Sequence, residues 1–181
     1  MASLSEVLLK NLKTIVFSSK LKPDRHKYIQ NSLVYFFQEL GFHTYREYKI
    51  DCLWKPRRKA RAEENYQLKK GRIDIFAKYK DNFKIAIEFD SGRLVKMKSL
   101  EKLFQCNSKL CVAIIYGINN TAESLKKENI NINIKRFKQV FQELRNHYTQ
   151  LKDEKNVELI ESKQMWLSIV NYQTLDEIKL I

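Results

Sequence analysis

Two stretches in the N-terminal part of the chain carry apolar residues at a helical period. The first stretch predicts an amphipathic helix over residues 3–18. The apolar positions of the first stretch are Leu4, Val7, Leu8, Leu12, Ile15 and Val16. Those of the second stretch are Ile29, Leu33, Phe36, Phe37 and Leu40. Asp24 is a favourable N-cap, so the second helix is predicted to start near Asp24 and to end at Gly41, since glycine commonly terminates helices.

Strand-like sequence follows the second helix. A strand is predicted over residues 44–54, and two runs rich in Ile and Phe occupy residues 72–78 and 83–90. Lys80-Asp81-Asn82 between these runs is typical turn sequence. The two runs therefore predict an antiparallel β-hairpin.

Helices and strands alternate in the remainder of the chain. A helix predicted over residues 95–106 precedes a continuous apolar run at residues 110–116, which is typical of a strand covered on both faces. Because a crossover helix joins parallel strands, this run should pair in parallel with the strand that ends at Asp90. Weaker patterns predict helices over residues 121–129 and 135–155 and strands over residues 157–160 and 165–170. Four phenylalanines are predicted to lie in the core: Phe36, Phe37, Phe137 and Phe141. The element order predicts a single α/β (α+β) domain with a mixed sheet.

Three acidic residues interrupt the apolar hairpin, namely Asp74, Glu88 and Asp90. An ionised carboxylate is costly to bury unless a cation lies beside it, so these residues predict a neighbouring metal ion, Lys or Arg. Side chains alternate between the faces of a strand, which puts Glu88 and Asp90 on one face. By the same rule, Arg72 and Asp74 share a face, opposite Ile73 and Ile75. The alternatives are a salt bridge from Asp74 to Arg72 or Arg93 and a solvated edge of the sheet.

The chain is strongly basic, with 34 Lys and Arg against 21 Asp and Glu and a formal net charge of +13 over 181 residues. This balance favours a polyanionic partner, and DNA is the first candidate. A membrane surface is the competing interpretation, but no apolar run has the length of a bilayer span and residues 1–20 lack the layout of a signal peptide. We therefore predict a soluble, cytoplasmic protein of a prokaryotic cell or of a viral host cell.

The most polar stretch covers residues 55–70 and is predicted to be a mobile connection or an extended hairpin tip. Its basic residues are predicted to contact nucleic-acid phosphates, together with two arginines near the acidic hairpin. The predicted nucleic-acid-binding residues are Arg57, Arg58, Lys59, Arg61, Arg72 and Arg93. A solvated loop is the alternative for this stretch.

Other site chemistries have little support in the sequence. Cys52, Cys106 and Cys111 have neither CxxC nor zinc-site spacing and are predicted to be buried thiols. Three scattered histidines argue against a histidine-based metal site or a Cys/His nucleophilic pair. With only four glycines in the chain, a phosphate-binding loop is hard to place.

The order of these elements and motifs resembles the PD-(D/E)xK (restriction-endonuclease-like) nuclease superfamily. The resemblance runs over residues 26–117 and includes Gly-Arg-Ile-Asp-Ile, a turn, Ile-Ala-Ile-Glu-Phe-Asp and a helix with Lys-Ser-Leu-Glu-Lys-Leu. It implies a restriction-endonuclease-like core, with residues 118–181 as a C-terminal extension. It also implies that Asp74 and Glu88 bind Mg²⁺, with Mn²⁺ able to substitute, and that the protein cleaves DNA.

The chain departs from the family pattern where the motif lysine is expected, because that position is Asp90. Some members carry this lysine on the following helix, where Lys98 and Lys102 lie one turn apart. Lys98 is preferred here because it is nearer the end of the strand. Asp90 is then either a third metal ligand or the group that orients the migrated lysine.

The second departure concerns the first core helix, where many relatives carry an acidic residue and this chain has Gln30 and Asn31. Glu39 and Glu47 are the nearby alternatives. The sequence therefore predicts a Mg²⁺-dependent endodeoxyribonuclease. A catalytically inactive, nuclease-fold protein that binds nucleic acid is the alternative, and an RNA-processing nuclease is a third. The oligomeric state stays open, with a homodimer as one candidate.

Overall fold

The fold is a mixed six-stranded β-sheet with helices on both faces. The computed structural model describes residues 4–54, 67–80, 83–92, 94–116, 131–144, 146, 164–170 and 175–180. The helices are α1 (Leu4–Ser18), α2 (Arg25–Glu39), α3 (Met97–Gln105) and α4 (residues 131–144), and a short 3-10 helix covers Ser19–Leu21. The strands are β1 (His43–Trp54), β2 (Gln67–Tyr79), β3 (Phe83–Asp90), β4 (Leu110–Tyr116), β5 (Gln164–Val170) and β6 (Leu175–Leu180).

The strands follow one another across the sheet in chain order, from β1 to β6. The β1–β2, β2–β3 and β5–β6 pairs are antiparallel, whereas β3–β4 and β4–β5 are parallel. The predicted hairpin and the predicted parallel pairing across the crossover helix are both confirmed. β1 is an edge strand, so one of its sides is not covered by a neighbouring strand of the sheet.

Each face of the sheet has its own apolar core. Helices α1 and α2 cover the first face, which we call the α2 face, and helices α3 and α4 cover the second, the α3 face. Fully buried side chains of the α2 face include Leu8, Leu12, Ile29, Leu33, Phe37, Ile75, Ile85 and Ile87. Those of the α3 face include Ile73, Leu100 and Leu103, packed with Phe104 and Phe137. Burial of these side chains is the main source of stability.

The ends of α2 follow the sequence signals. The Asp24 side chain accepts a hydrogen bond from the Lys27 backbone N–H at 2.9 Å, which satisfies one of the free donors of the first turn. Gly41 has a φ of 81°, a left-handed conformation that favours glycine after a helix. Both predicted boundaries are confirmed.

Several predictions on the fold need correction. Residues 67–70 belong to β2, so the stretch predicted as a connection is shorter than expected, and residues 55–66 lie outside the described residues. Phe141 is 37% exposed rather than buried, because it lies at the edge of the α4 stripe beside Phe104. Residues 131–134 are already helical, although this helix was predicted to start at residue 135. The predicted elements at residues 121–129 and 157–160 fall outside the described part, and β6 was not predicted.

Two smaller findings concern the thiols and the helices. All three cysteines are buried thiols that form no disulfide within the described chain, as predicted. Within the described ranges, no helix has both the length and the apolar character needed to cross a bilayer.

Candidate active site

The candidate site lies where the ladder between β2 and β3 ends. Backbone pairing runs from Tyr79 and Phe83 to Ile75 and Ile87 and then stops. At the next position, Asp74 Oδ2 accepts the Phe89 N–H at 2.9 Å, and Glu88 Oε1 accepts the Asp74 N–H at 3.2 Å. Two carboxylates thus replace backbone carbonyls as acceptors between the strands.

Regular alternation of side chains is lost at Asp74. Ile73 packs in the core of the α3 face, while Ile75 packs in the core of the α2 face, although a regular strand would place both on one face. The expectation that these isoleucines share a face opposite Arg72 and Asp74 is therefore wrong. The break coincides with the end of the β2–β3 ladder and with the missing pair between Asp74 and Glu47 of β1, so neither neighbouring strand holds Asp74 in a regular ladder. As a result, Asp74 neighbours residues from both faces of the sheet.

Lys102 is the lysine that reaches the acidic residues. Its Nζ lies 2.6 Å from Glu88 Oε2 and donates to the Arg72 carbonyl at 2.7 Å. The side chain is 15% exposed, and that of Glu88 is 3% exposed, so this is an ion pair largely removed from water.

The stem of Lys102 crosses the sheet over Gly71. A Cβ at position 71 would lie 2.9 Å from Cys52 Sγ and 3.4 Å from both Cγ and Cδ of Lys102. The φ of Gly71 is not in the left-handed region, so the need for glycine here is one of space. The glycine in the Gly-Arg-Ile-Asp-Ile motif therefore gives Lys102 its path to Glu88.

We expect Gly71→Ala to lower the free energy of unfolding by about 1–3 kcal/mol, because it overpacks a filled site. Cys52→Ala removes the nearest atom, so the double variant should regain part of that loss. Urea denaturation of the parent, both single variants and the double variant gives the interaction energy. Strictly additive losses would show that Cys52 is not the obstructing atom.

The preference for Lys98 does not match the positions of the two lysines. The Lys98 Nζ lies over the Trp54 ring, 4.5 Å from its centroid, and the Trp54 indole N–H donates to Cys52 Sγ. Positions four apart on a helix are separated by about 6 Å along its axis. One turn is enough for Lys98 to reach the end of β1 while Lys102 reaches Glu88 on β3. Nearness in sequence to the end of β3 was therefore a poor guide.

Asp90 is paired with Lys96. Its Oδ1 lies 3.0 Å from Lys96 Nζ, and its Oδ2 accepts the Lys96 backbone N–H at 3.0 Å. Lys96 is the residue that precedes α3, so Asp90 fixes the start of the helix that carries Lys102. The ion pair with Asp90 raises the pKa of Lys96. Of the two predicted roles for Asp90, this geometry favours orientation of the lysine helix over that of a third metal ligand.

Side chains from α2 and β1 complete the site on the other side of Asp74. One ligand atom each of His26, Glu47 and Asp74 lies within 4.8 Å of the other two. The His26 Nε2 is 3.8 Å from Asp74 Oδ1, and the ring packs against Phe89 with its Nδ1 3.5 Å from the Tyr116 hydroxyl. These contacts hold His26 with one ring nitrogen toward Asp74.

Gln30 joins Glu47 and Asp74 to α2. Its Nε2 donates to the Asp74 carbonyl at 2.9 Å and to Glu47 Oε1 at 3.3 Å. The Gln30 amide therefore acts as a positioning group for these two residues. Of the two acidic alternatives, Glu47 lies at the site, whereas Glu39 is exposed at the far end of α2.

Glu47 adopts an unusual backbone conformation, with a φ of 49°. It stands opposite Asp74, at the one position between His43 and Trp54 where the β1–β2 register has no pair. Left-handed backbone is uncommon for a residue with a side chain and often marks a functional site. Here it turns the Glu47 carboxylate toward Gln30 and Asp74.

Burial alters the acidity of both central carboxylates. Desolvation is the larger cause of a raised pKa for Asp74, against the Phe89 N–H and the charge of Lys102. Desolvation and then the Asp74 charge raise the pKa of Glu88 to about 8, although Lys102 acts in the opposite direction. Two acids that resist ionisation side by side are a feature of catalytic and metal-binding sites.

The raised pKa of Glu88 makes the stability of the metal-free protein depend on pH. The folded state binds this proton more tightly than the unfolded chain, so the stabilisation is complete below about pH 4.5 and is lost as pH rises to about 8. At about 1.4 kcal/mol per pKa unit, the loss is on the order of a few kcal/mol. Urea denaturation in EDTA at several pH values should show this decline, and Glu88→Gln should flatten it; an equal slope in both proteins would contradict the assignment.

Of the six predicted nucleic-acid-binding residues, the structure describes Arg72. Arg72 is exposed on β2, and its carbonyl holds Lys102. No pair between Arg72 and Asp74 occurs in the described chain, which removes one alternative for Asp74. Arg57, Arg58, Lys59, Arg61 and Arg93 lie outside the described residues, so their phosphate contacts stay predictions.

No protein-family model and no curated protein matches this chain. The chemistry of the site is therefore the basis for a functional proposal. The site unites Asp74, Glu88 and Lys102, which the sequence singled out, with His26 and Glu47, which it did not assign to the metal. The signal for His26 was its place at the start of α2, three positions after Pro23, where the first turn can face the strands.

Proposed function

We propose that the protein is a metal-dependent endonuclease that hydrolyses DNA phosphodiester bonds on a restriction-endonuclease-like core. The observation that carries the proposal is the convergence of three acids, a histidine and a largely buried lysine at the point where β2 and β3 stop pairing. Asp74, the central residue, is within reach of His26 and Glu47 on one side and adjoins Glu88 on the other. The basic chain supplies the attraction for a polyanionic substrate.

The donor set fits a hard divalent cation. Carboxylate oxygens are the ligands that Mg²⁺ and Mn²⁺ prefer, and an imidazole nitrogen is compatible with Mn²⁺. Asp74, Glu47 and His26 would hold the ion, and Glu88 is a further candidate ligand because its carboxylate adjoins Asp74. The ion would polarise the phosphate and lower the pKa of water. A cation would also offset the desolvation, and the smaller repulsion between carboxylates, that raise the pKa of Asp74 and of Glu88.

The protein's own groups have separate parts in the proposed reaction. An ammonium group has three N–H donors, and Lys102 uses two of them for Glu88 and Arg72, which leaves a third for a phosphate oxygen. A positioned cation of this kind stabilises the charge that develops in the transition state. Asp90 and Lys96 hold the start of α3, and Gln30 orients Glu47.

The catalytically inactive alternative arose because Asp90 occupies the position of the motif lysine. Lys102 supplies an ammonium group beside Glu88 from the next helix, which favours an enzyme over a nuclease fold that only binds nucleic acid. An RNA substrate is the remaining alternative, because metal-assisted phosphodiester chemistry does not itself distinguish ribose from deoxyribose.

The proposal is tested by cleavage assays on supercoiled plasmid, linear duplex and single-stranded DNA. Each substrate is incubated with Mg²⁺, with Mn²⁺ or with EDTA. We expect nicking or cutting with either metal and none in EDTA. RNA of the same sequence separates a deoxyribonuclease from an RNA-processing enzyme. Tight, salt-sensitive DNA binding without cleavage of any substrate would favour the inactive alternative.

A further inference from the structure

A groove on the α3 face of the sheet is lined by aromatic rings and lysines and contains none of the candidate catalytic residues. Its volume is about 580 Å³, within the range of about 300–1,000 Å³ that is usual for ligand sites. We call it the aromatic–lysine groove and define it by Tyr45, Tyr48, Phe76, Lys49, Lys78 and Lys84.

The rings of the groove form an exposed stack. Tyr48 lies parallel to Phe76, with centroids 4.3 Å apart and an interplanar angle of 12°. Tyr45 contacts both rings at a tilt. Phe76 is 5% exposed, but Tyr48 and Tyr45 are 37% and 47% exposed. The buried Phe76 therefore supports two outer tyrosines that offer ring surface to a ligand.

Three lysines concentrate positive charge along the groove. Lys78 and Lys84 are direct partners across β2 and β3, and like charges in that arrangement repel. Asp51 also lines the groove, but its carboxylate lies 2.6 Å from Lys70 Nζ and so is already neutralised. A ligand with several negative charges would relieve this repulsion.

The rings select among polyanions. A nucleobase can stack on an exposed tyrosine whatever its identity, whereas the bases of an intact duplex stack on one another and leave only phosphates at the surface. We infer that the aromatic–lysine groove binds unpaired nucleotides of a single-stranded nucleic acid, with bases on Tyr45 and Tyr48 and phosphates on the lysines.

The groove and the candidate site meet at the edge of the sheet. Glu47 and Tyr48 are consecutive on β1, and the left-handed conformation of Glu47 sends its carboxylate to the α2 face while Tyr48 joins the groove. A flexible single strand can pass around this edge strand. Binding at the groove needs no cleavage, so the inference goes beyond the proposed nuclease and can be tested apart from it.

Fluorescence anisotropy in EDTA with labelled oligo-dT, oligo-rU and a blunt duplex tests the inference on the full chain without turnover. In the variant Tyr45→Leu/Tyr48→Leu, leucine keeps the apolar contact with Phe76 and removes the ring faces. We expect affinity for single strands to fall at least about 10-fold and duplex affinity to stay unchanged. Tyr35→Leu, at a 67% exposed tyrosine on α2, is the matched control and should bind as the parent does.

Unchanged binding of single strands in the Tyr45→Leu/Tyr48→Leu variant, or an equal loss for duplex and single strands, would overturn the inference. A tyrosine-dependent loss with either oligonucleotide supports it, and the tighter of the two identifies the sugar. Lys49→Ala/Lys84→Ala tests the charge part and leaves the rings intact. For single strands, the slope of log affinity against log salt is negative, and this variant should reduce its magnitude by about 1.4. Lys135→Ala/Lys138→Ala on exposed positions of α4 is its control, and equal slopes for the two pairs would also overturn the inference.

Discussion

Asp74→Asn is expected to abolish metal-dependent cleavage while the protein stays folded. Asparagine keeps an oxygen that can accept the Phe89 N–H, so this hydrogen bond between β2 and β3 is retained. The negative charge at the centre of the metal-ligand group is lost. A metal supplies several kcal/mol of transition-state stabilisation, which at about 1.4 kcal/mol per tenfold corresponds to a loss of roughly 10³-fold or more. Single-turnover cleavage with Mg²⁺ measures it.

Asp51→Asn is the matched control, because it removes a carboxylate from β1 that is exposed and paired with Lys70. This variant should cleave as the parent does. The metal-dependent rise in melting temperature should vanish in Asp74→Asn and persist in Asp51→Asn. Parent-like cleavage by Asp74→Asn would refute the assignment of the site.

Lys102→Ala is expected to lower turnover about 10²-fold, the scale seen when one transition-state electrostatic partner is removed. The lysine is the cation in contact with Glu88, and its loss leaves this buried carboxylate without a neighbouring positive charge, which raises the pKa of Glu88 further. Cleavage should therefore be measured at saturating Mg²⁺ and at a pH above 8, where Glu88 is ionised in the parent.

Lys98→Ala is the matched control for this prediction. It removes the same charge one turn earlier on α3, and the contact that it loses is with the Trp54 ring. We expect turnover close to that of the parent. The reverse result, a slow Lys98→Ala with an active Lys102→Ala, would show that α3 rotates before catalysis or that another cation serves the phosphate.

Local patterns were sufficient to predict most of the central fold. Features that depend only on neighbouring residues can be predicted from the sequence. Examples are the helical period of α1 and α2, the Asp24 cap and the turn after Tyr79. The parallel pairing of β3 with β4 followed from the crossover helix between them. Strand β6 was missed because it is short and carries charged residues at its centre, which obscure the alternation.

The details of the site depend on contacts between residues distant in sequence. Asp74 and Glu88 stood out because acids are costly in apolar strands. The choice between Lys98 and Lys102 required the direction in which α3 crosses the sheet, which sequence spacing does not give. His26 was one of three scattered histidines until α2 packed against β2 and placed it beside Asp74. The break in alternation at Asp74 likewise depends on Glu47 across the strand pair.

The left-handed backbone of Glu47 lowers the stability of the fold but positions a carboxylate for the proposed activity. A left-handed conformation costs a residue with a side chain about 1–2 kcal/mol, and glycine at this position would avoid that cost. Glycine would also delete the carboxylate that Gln30 holds near Asp74. A library selected for heat resistance alone should therefore enrich Glu47→Gly, and the same substitution should disappear from a library selected for function.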